Sequence, residues 1–120
     1  MPTGWRLGTA DRVRLLALRP PRYPNVDADH VTLTAGHGHD AELPEEAVGA
    51  RVVGHVDDGL GVEALVVEIG GVTQRPDSGT WHITWSLADG RKARESNDVI
   101  GRQGWEPWDG GPIALTPATW

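Results

Sequence analysis

The sequence predicts an α+β fold, predominantly antiparallel β, and three observations carry that prediction. Short runs rich in β-branched and aromatic residues recur along its 120 positions. Two of these runs, Ala50–Val56 and Val62–Ile69, flank Asp57-Asp58-Gly59-Leu60-Gly61, the arrangement of a hairpin. Two others, Asp29-His30-Val31-Thr32-Leu33-Thr34 and Trp81-His82-Ile83-Thr84-Trp85-Ser86-Leu87, share one grammar: His, apolar, Thr, apolar. About six strands with little helix follow, in a single domain over residues 1–120.

In chain order, Arg12-Val13-Arg14 alternates and Leu15-Leu16-Ala17-Leu18 is continuously apolar, which predicts a strand entering the core. Pro20-Pro21 ends it. Arg22–Ala28 reads as a loop in which Tyr23 packs locally, and His30–Thr34 as the first motif strand. Gly36-His37-Gly38-His39-Asp40 reads as a loop. Its ligand types suit Zn²⁺, yet His55 is the only spare histidine elsewhere, so no metal or other cofactor is expected. Pro44-Glu45-Glu46-Ala47 resembles a helix first turn and predicts one or two turns at most. After the hairpin, 70–79 forms a loop through Pro76-Asp77-Ser78-Gly79 and the second motif strand follows. Ala88-Asp89-Gly90 is a turn, 95–100 a short helical turn, 105–111 a loop, and Ile113-Ala114-Leu115 a last strand.

Composition narrows the functions available. With no Phe, the core draws on Val, Leu, Ile and some of six Trp. With no Cys, disulfides and thiol chemistry are excluded. The N-terminal residues lack a signal pattern, and no apolar run approaches the roughly 18 residues of a membrane span, so a soluble cytoplasmic protein is expected. A net charge of −6 argues against extended duplex binding, though not against a nucleotide or RNA end held in a pocket. Basic residues cluster at Arg12, Arg14, Arg19 and Arg22 and again at Arg91, Lys92 and Arg94, which by itself describes solvated surface.

Strand alternation gives the twin motifs their chemical meaning. His30 and Thr32 share one face, Val31 and Leu33 the other; His82 and Thr84 share a face opposite Ile83 and Trp85. Adjacent strands would present two imidazoles and two hydroxyls on one surface. Imidazole, with an unperturbed pKa near 6.5, can act as base or acid near neutral pH, so a pair provides both roles without a metal.

Paired His-x-Thr strands resemble the 2H phosphoesterase superfamily, and most nearly the cyclic phosphodiesterase domain of plant and fungal tRNA ligases in a minimal form. The likeness runs from about Asp29 to Leu115. It includes the Trp before the second motif, then Gly90 and Arg94-Glu95-Ser96-Asn97, and the closing Pro112-Ile113-Ala114-Leu115. The stretch before His30 reads as too brief and Pro-rich for the helix such a domain carries. The resemblance implies two small sheets related by a pseudo-twofold, with a central cleft holding the histidines. It implies hydrolysis of a ribose or RNA-end 2′,3′-cyclic phosphate to a 2′-phosphate, with His30 and His82 catalytic. Thr32, Thr84, Arg94 and Ser96 would bind the phosphate. By the same analogy His30 is the acid and His82 the base, an order the residues themselves leave open. Two other readings keep the scaffold: a nucleotide- or RNA-end-binding module without turnover, or a hydrolase of cyclic oligonucleotides or ADP-ribose cyclic phosphate.

Overall fold

The computed structural model describes residues 2–34 and 43–120. In chain order the elements are β1 (Thr3–Leu7), α1 (Thr9–Leu18), β2 (Asn25–Val26), β3 (His30–Thr34), β4 (Arg51–Asp57) and β5 (Val62–Glu68). β6 (His82–Leu87), α2 (Glu95–Gln103), β7 (Glu106–Pro112) and β8 (Leu115–Thr119) complete them. The fold is α+β and all its strand pairs are antiparallel. The strands follow one hydrogen-bonded path, β7-β4-β5-β6-β3-β1-β8, with β2 also on β6. Where two sheets were expected there is one path, and its narrowest junction is β3/β6, held in register by the single pair Val31↔Ile83.

The predicted hairpin is β4–β5, in register from Arg51↔Glu68 to Asp57↔Glu63 with one irregularity. Asp58 closes its turn by accepting from the Leu60 and Val62 amides at 2.8 and 3.0 Å. β5 is buried on both faces. Leu65 and Val67 join Val31, Val52, Ile83 and Trp85 in the main core, while Val62, Ala64 and Val66 meet Val99 and Ile100 of α2. Burying an aliphatic side chain is worth roughly 1.5–3 kcal/mol. That contact holds α2 in place, since no side chain caps its N-terminus. Aromatic bulk replaces the missing Phe: Trp5 meets Trp81 edge-on at 5.4 Å, and fully buried Trp85 donates its indole N–H to the Arg19 carbonyl at 2.9 Å.

Four expectations are corrected. Residues 12–18 lie in helix α1, so a helix does precede His30. The run is rich in Leu, Ala and Arg, good helix formers, and only a helix turns Leu15 inward while Val13 and Leu18 stay exposed. Arg12 then reaches the Ala28 carbonyl at 2.9 Å and Arg14 the Gly110 carbonyl at 2.7 Å. Pro44–Ala47 forms no helical turn. Its backbone instead crosses Trp5, whose indole donates to the Glu45 carbonyl at 2.9 Å.

The expected loop at 105–111 is largely β7, the partner of β4 and an edge strand, where Pro and Gly are tolerated. Trp105 leads into it and packs so closely on Gly54 that a Cβ there would lie 2.1 Å from the indole. The last strand begins at Leu115 rather than Ile113, because the Ile113 amide turns to the Ala50 carbonyl at 3.0 Å. The helical turn at 95–100 is present and extends to Gln103, where Gly104 (φ +71°) ends it.

Candidate active site

β3 and β6 lie side by side, and the Val31↔Ile83 pair sends both apolar residues into the main core. Alternation then turns His30, Thr32, His82 and Thr84 to the opposite face, where they line one cleft of about 330 Å³ together with Arg94. Volumes of that order suit a small ligand. α2 covers the cleft on one side, with Ala93 at its approach and Asn97 and Asp98 in its first turns. A larger depression of about 520 Å³ lies along Glu95, Asp98, Gly101 and Arg102, but one helix lines it and no groups converge there.

The two imidazoles sit in unlike surroundings. His82 donates from Nδ1 to the Thr80 carbonyl at 2.8 Å, leaving Nε2 as its acceptor. Burial holds its pKa below the ordinary imidazole value. The Arg75 guanidinium and His30 act in the same direction, against the Thr80 bond and Asp77. His30 instead places Nδ1 3.1 Å from the Asp29 carboxylate, which also pairs with Arg6. With Asp29 accepting from Nδ1–H, Nε2 is the free nitrogen. The His30 ring also meets Trp120, tilted by 51° with 4.4 Å between centroids.

The hydroxyls differ as well. Thr84 Oγ1 lies 2.8 Å from Ser96 Oγ, and either can donate. Ser96, expected at the phosphate, is fully buried on the sheet-facing side of the first turn of α2, so it touches Thr84 rather than the cleft. Thr32 is half-buried and lines the cleft from the adjoining strand. Arg94 is exposed and has no carboxylate partner among the described residues. Of both basic clusters, it alone lines the cleft. Arg91 is tied to Asp58 and Glu95 at 2.9 and 3.2 Å, and Arg22 to Asp57 at 3.0 Å.

Arg75, Asn97 and Trp120 are among the cleft residues that sequence reasoning leaves without a role. Asn97 was visible in the tail of the second motif. Its Oδ1 accepts from the Thr80 amide at 3.1 Å and ties α2 to the chain entering β6. Arg75 lies in the turn before that strand, where only the Pro-Asp-Ser-Gly run hinted at structure. No local pattern marks Trp120, which reaches His30 through the pairing of β8 with β1.

Asp27, Asp29 and His30 bring potential metal-ligating atoms within 4.8 Å of one another. Asp29 is already engaged by Arg6 and supports His30 by its hydrogen bond to Nδ1, while burial raises the pKa of Asp27. The loop expected at His37, His39 and Asp40 lies outside the described residues. Comparison with family models, with curated proteins and with solved structures finds no match for this chain.

Proposed function

We propose that the protein is a metal-independent 2′,3′-cyclic phosphodiesterase that opens a ribose or RNA-end cyclic phosphate to a 2′-phosphate. The observation that carries this reading is the convergence of both His-x-Thr pairs on one cleft beside the cation of Arg94, which has no carboxylate partner among the described residues. β8-β1-β3 and β6-β5-β4-β7 serve as its two lobes, in a pseudo-twofold sense, each giving one histidine strand to the seam.

His82 is the base. Its lowered pKa keeps Nε2 unprotonated near neutral pH, and the Thr80 carbonyl fixes that tautomer. It takes a proton from water as the water oxygen bonds to phosphorus. The P–O3′ bond breaks on the far side, and His30, with Nδ1 held by Asp29, gives the 3′-oxygen a proton from Nε2. Thr32, Thr84 and Arg94 hydrogen-bond the non-bridging oxygens as charge accumulates on them.

Phosphorus NMR of the products from a panel of 2′,3′-cyclic nucleotides tests the proposal. Accumulation of 2′-phosphates is expected. Binding without turnover would replace it with the binding-module reading, and turnover only of cyclic oligonucleotides or of ADP-ribose cyclic phosphate would redirect the substrate.

A further inference from the structure

The 74–80 segment is a tight hairpin bridged at Gln74↔Thr80, and the Arg75 amide donates to the Gly79 carbonyl at 2.8 Å. It carries Arg75 into the cleft with a side chain only 13% exposed. The guanidinium is held at two points: Nε donates to Asp77 Oδ1 at 2.7 Å, and Nη1 reaches the Thr32 carbonyl at 3.4 Å. Five N–H donors in a rigid fork suit a phosphate, and this anchoring leaves three of them without an acceptor among the described residues. Asp77 is held in turn by the Gly79 amide at 3.0 Å. Its carboxyl lies below the usual range because of that bond and, above all, the Arg75 bond.

Gly79 sits against the guanidinium. A Cβ there would lie 2.7 Å from Arg75 Nη2, 3.0 Å from its Cζ and 2.9 Å from Asn97 Oδ1. Any side chain must therefore displace the head of Arg75, the movable end of a flexible side chain, or the Asn97 amide that pins the hairpin to α2.

We infer that Arg75 is a phosphate-binding residue of the cleft, held beside the histidine pair by Asp77, and that Gly79 is its positioning residue, leaving the space the guanidinium occupies. The inference rests on the phosphodiesterase reading for its substrate, but its geometry addresses any phosphate in the cleft. A fixed cation there favours a ligand with a charged, unesterified or cyclic phosphate over a neutral analogue.

The test uses the full chain, inorganic phosphate as ligand, and NMR titration of the His82 ring. Arg75→Gln should weaken phosphate binding by about 10- to 100-fold, the loss of a charged hydrogen bond. It should also raise the His82 titration midpoint, because a neighbouring cation is gone and Asp77 is released. Gly79→Ala should shift both readings the same way by less, and add little in the Arg75→Gln background, since it acts through Arg75. Arg75→Lys, keeping charge without the fork, should restore the midpoint more fully than the binding. Unchanged phosphate affinity and an unchanged His82 midpoint in Arg75→Gln would overturn the inference, as would a wild type that takes up no phosphate. If phosphate binds and responds as expected while no cyclic phosphate is hydrolysed, Arg75 keeps its role and the hydrolase reading alone is lost.

Discussion

Thr32 and Thr84 hold equivalent places in the two motifs but differ in support: Thr84 is buried and braced by Ser96, while Thr32 is half-buried. His30→Ala or His82→Ala should each slow cyclic phosphate hydrolysis by about 10² to 10⁴-fold, with a double variant losing far less than the product. Thr84→Ala leaves proton transfer possible, so a milder loss with a raised KM is expected. Ser96→Ala removes the brace and no cleft contact, and should fall between Thr84→Ala and wild type. Steady-state kinetics of the four variants decide the order. Should Ser96→Ala match His82→Ala, the serine acts on the substrate after all. Turnover against pH should be bell-shaped, its acidic limb lying below the ordinary imidazole range because burial depresses His82.

At the scale of elements, two contacts made by β4 set its partners. On one side Glu63, buried at 2% exposure, accepts from Ser86 Oγ at 2.7 Å and from the Arg22 amide at 3.0 Å, and pairs with His55 Nε2 at 2.8 Å. Burial alone would raise the Glu63 pKa, but these bonds outweigh it and hold the carboxyl below its usual value. Glu63→Ala leaves those partners unsatisfied inside the fold and should cost roughly 2–4 kcal/mol in urea unfolding. On the other side, Gly54→Ala collides with Trp105 and should cost about 1–3 kcal/mol, as overpacking does. In a Trp105→Ala background the same change should be nearly silent; an undiminished cost there would show that the strand backbone, not the indole, needs the glycine.

For the whole molecule, two responses to solution conditions follow. Catalysis by an imidazole pair should survive prolonged EDTA treatment; loss restored by Zn²⁺ or Mn²⁺ would move the chemistry to His37, His39 and Asp40 or to Asp27, Asp29 and His30. Stability against pH should fall in two stages. His82 is easier to protonate unfolded than folded, so stability is complete above its ordinary value of 6.5 and declines as pH falls from there towards the lowered folded value. Glu63 binds its proton less readily folded, so its contribution persists until pH drops through its ordinary 4.5 and is lost towards its lowered value. Urea midpoints measured across this range should show both steps, and His82→Gln should erase the upper one. Among the described residues no helix is long and apolar enough to cross a membrane.

The sequence by itself determined what local periodicity can encode. Alternation in His30–Thr34 and His82–Leu87 set which side chains share a face, and the Asp/Gly cluster set the β4–β5 hairpin. Tertiary structure decided what depends on a distant partner. Residues 12–18 carry a continuous apolar stretch compatible with strand or helix, and only the fit of Leu15 to the core, with Arg14 reaching Gly110 and Pro112, selects the helix. β7 reads as loop because Pro and Gly fill it, and it becomes a strand because β4 offers an unpaired edge. The convergence of Arg75, Trp120 and the first turns of α2 on the histidines has no local signature either. It arises because strand pairing across the sheet and packing of α2 on β5 bring together side chains far apart in sequence.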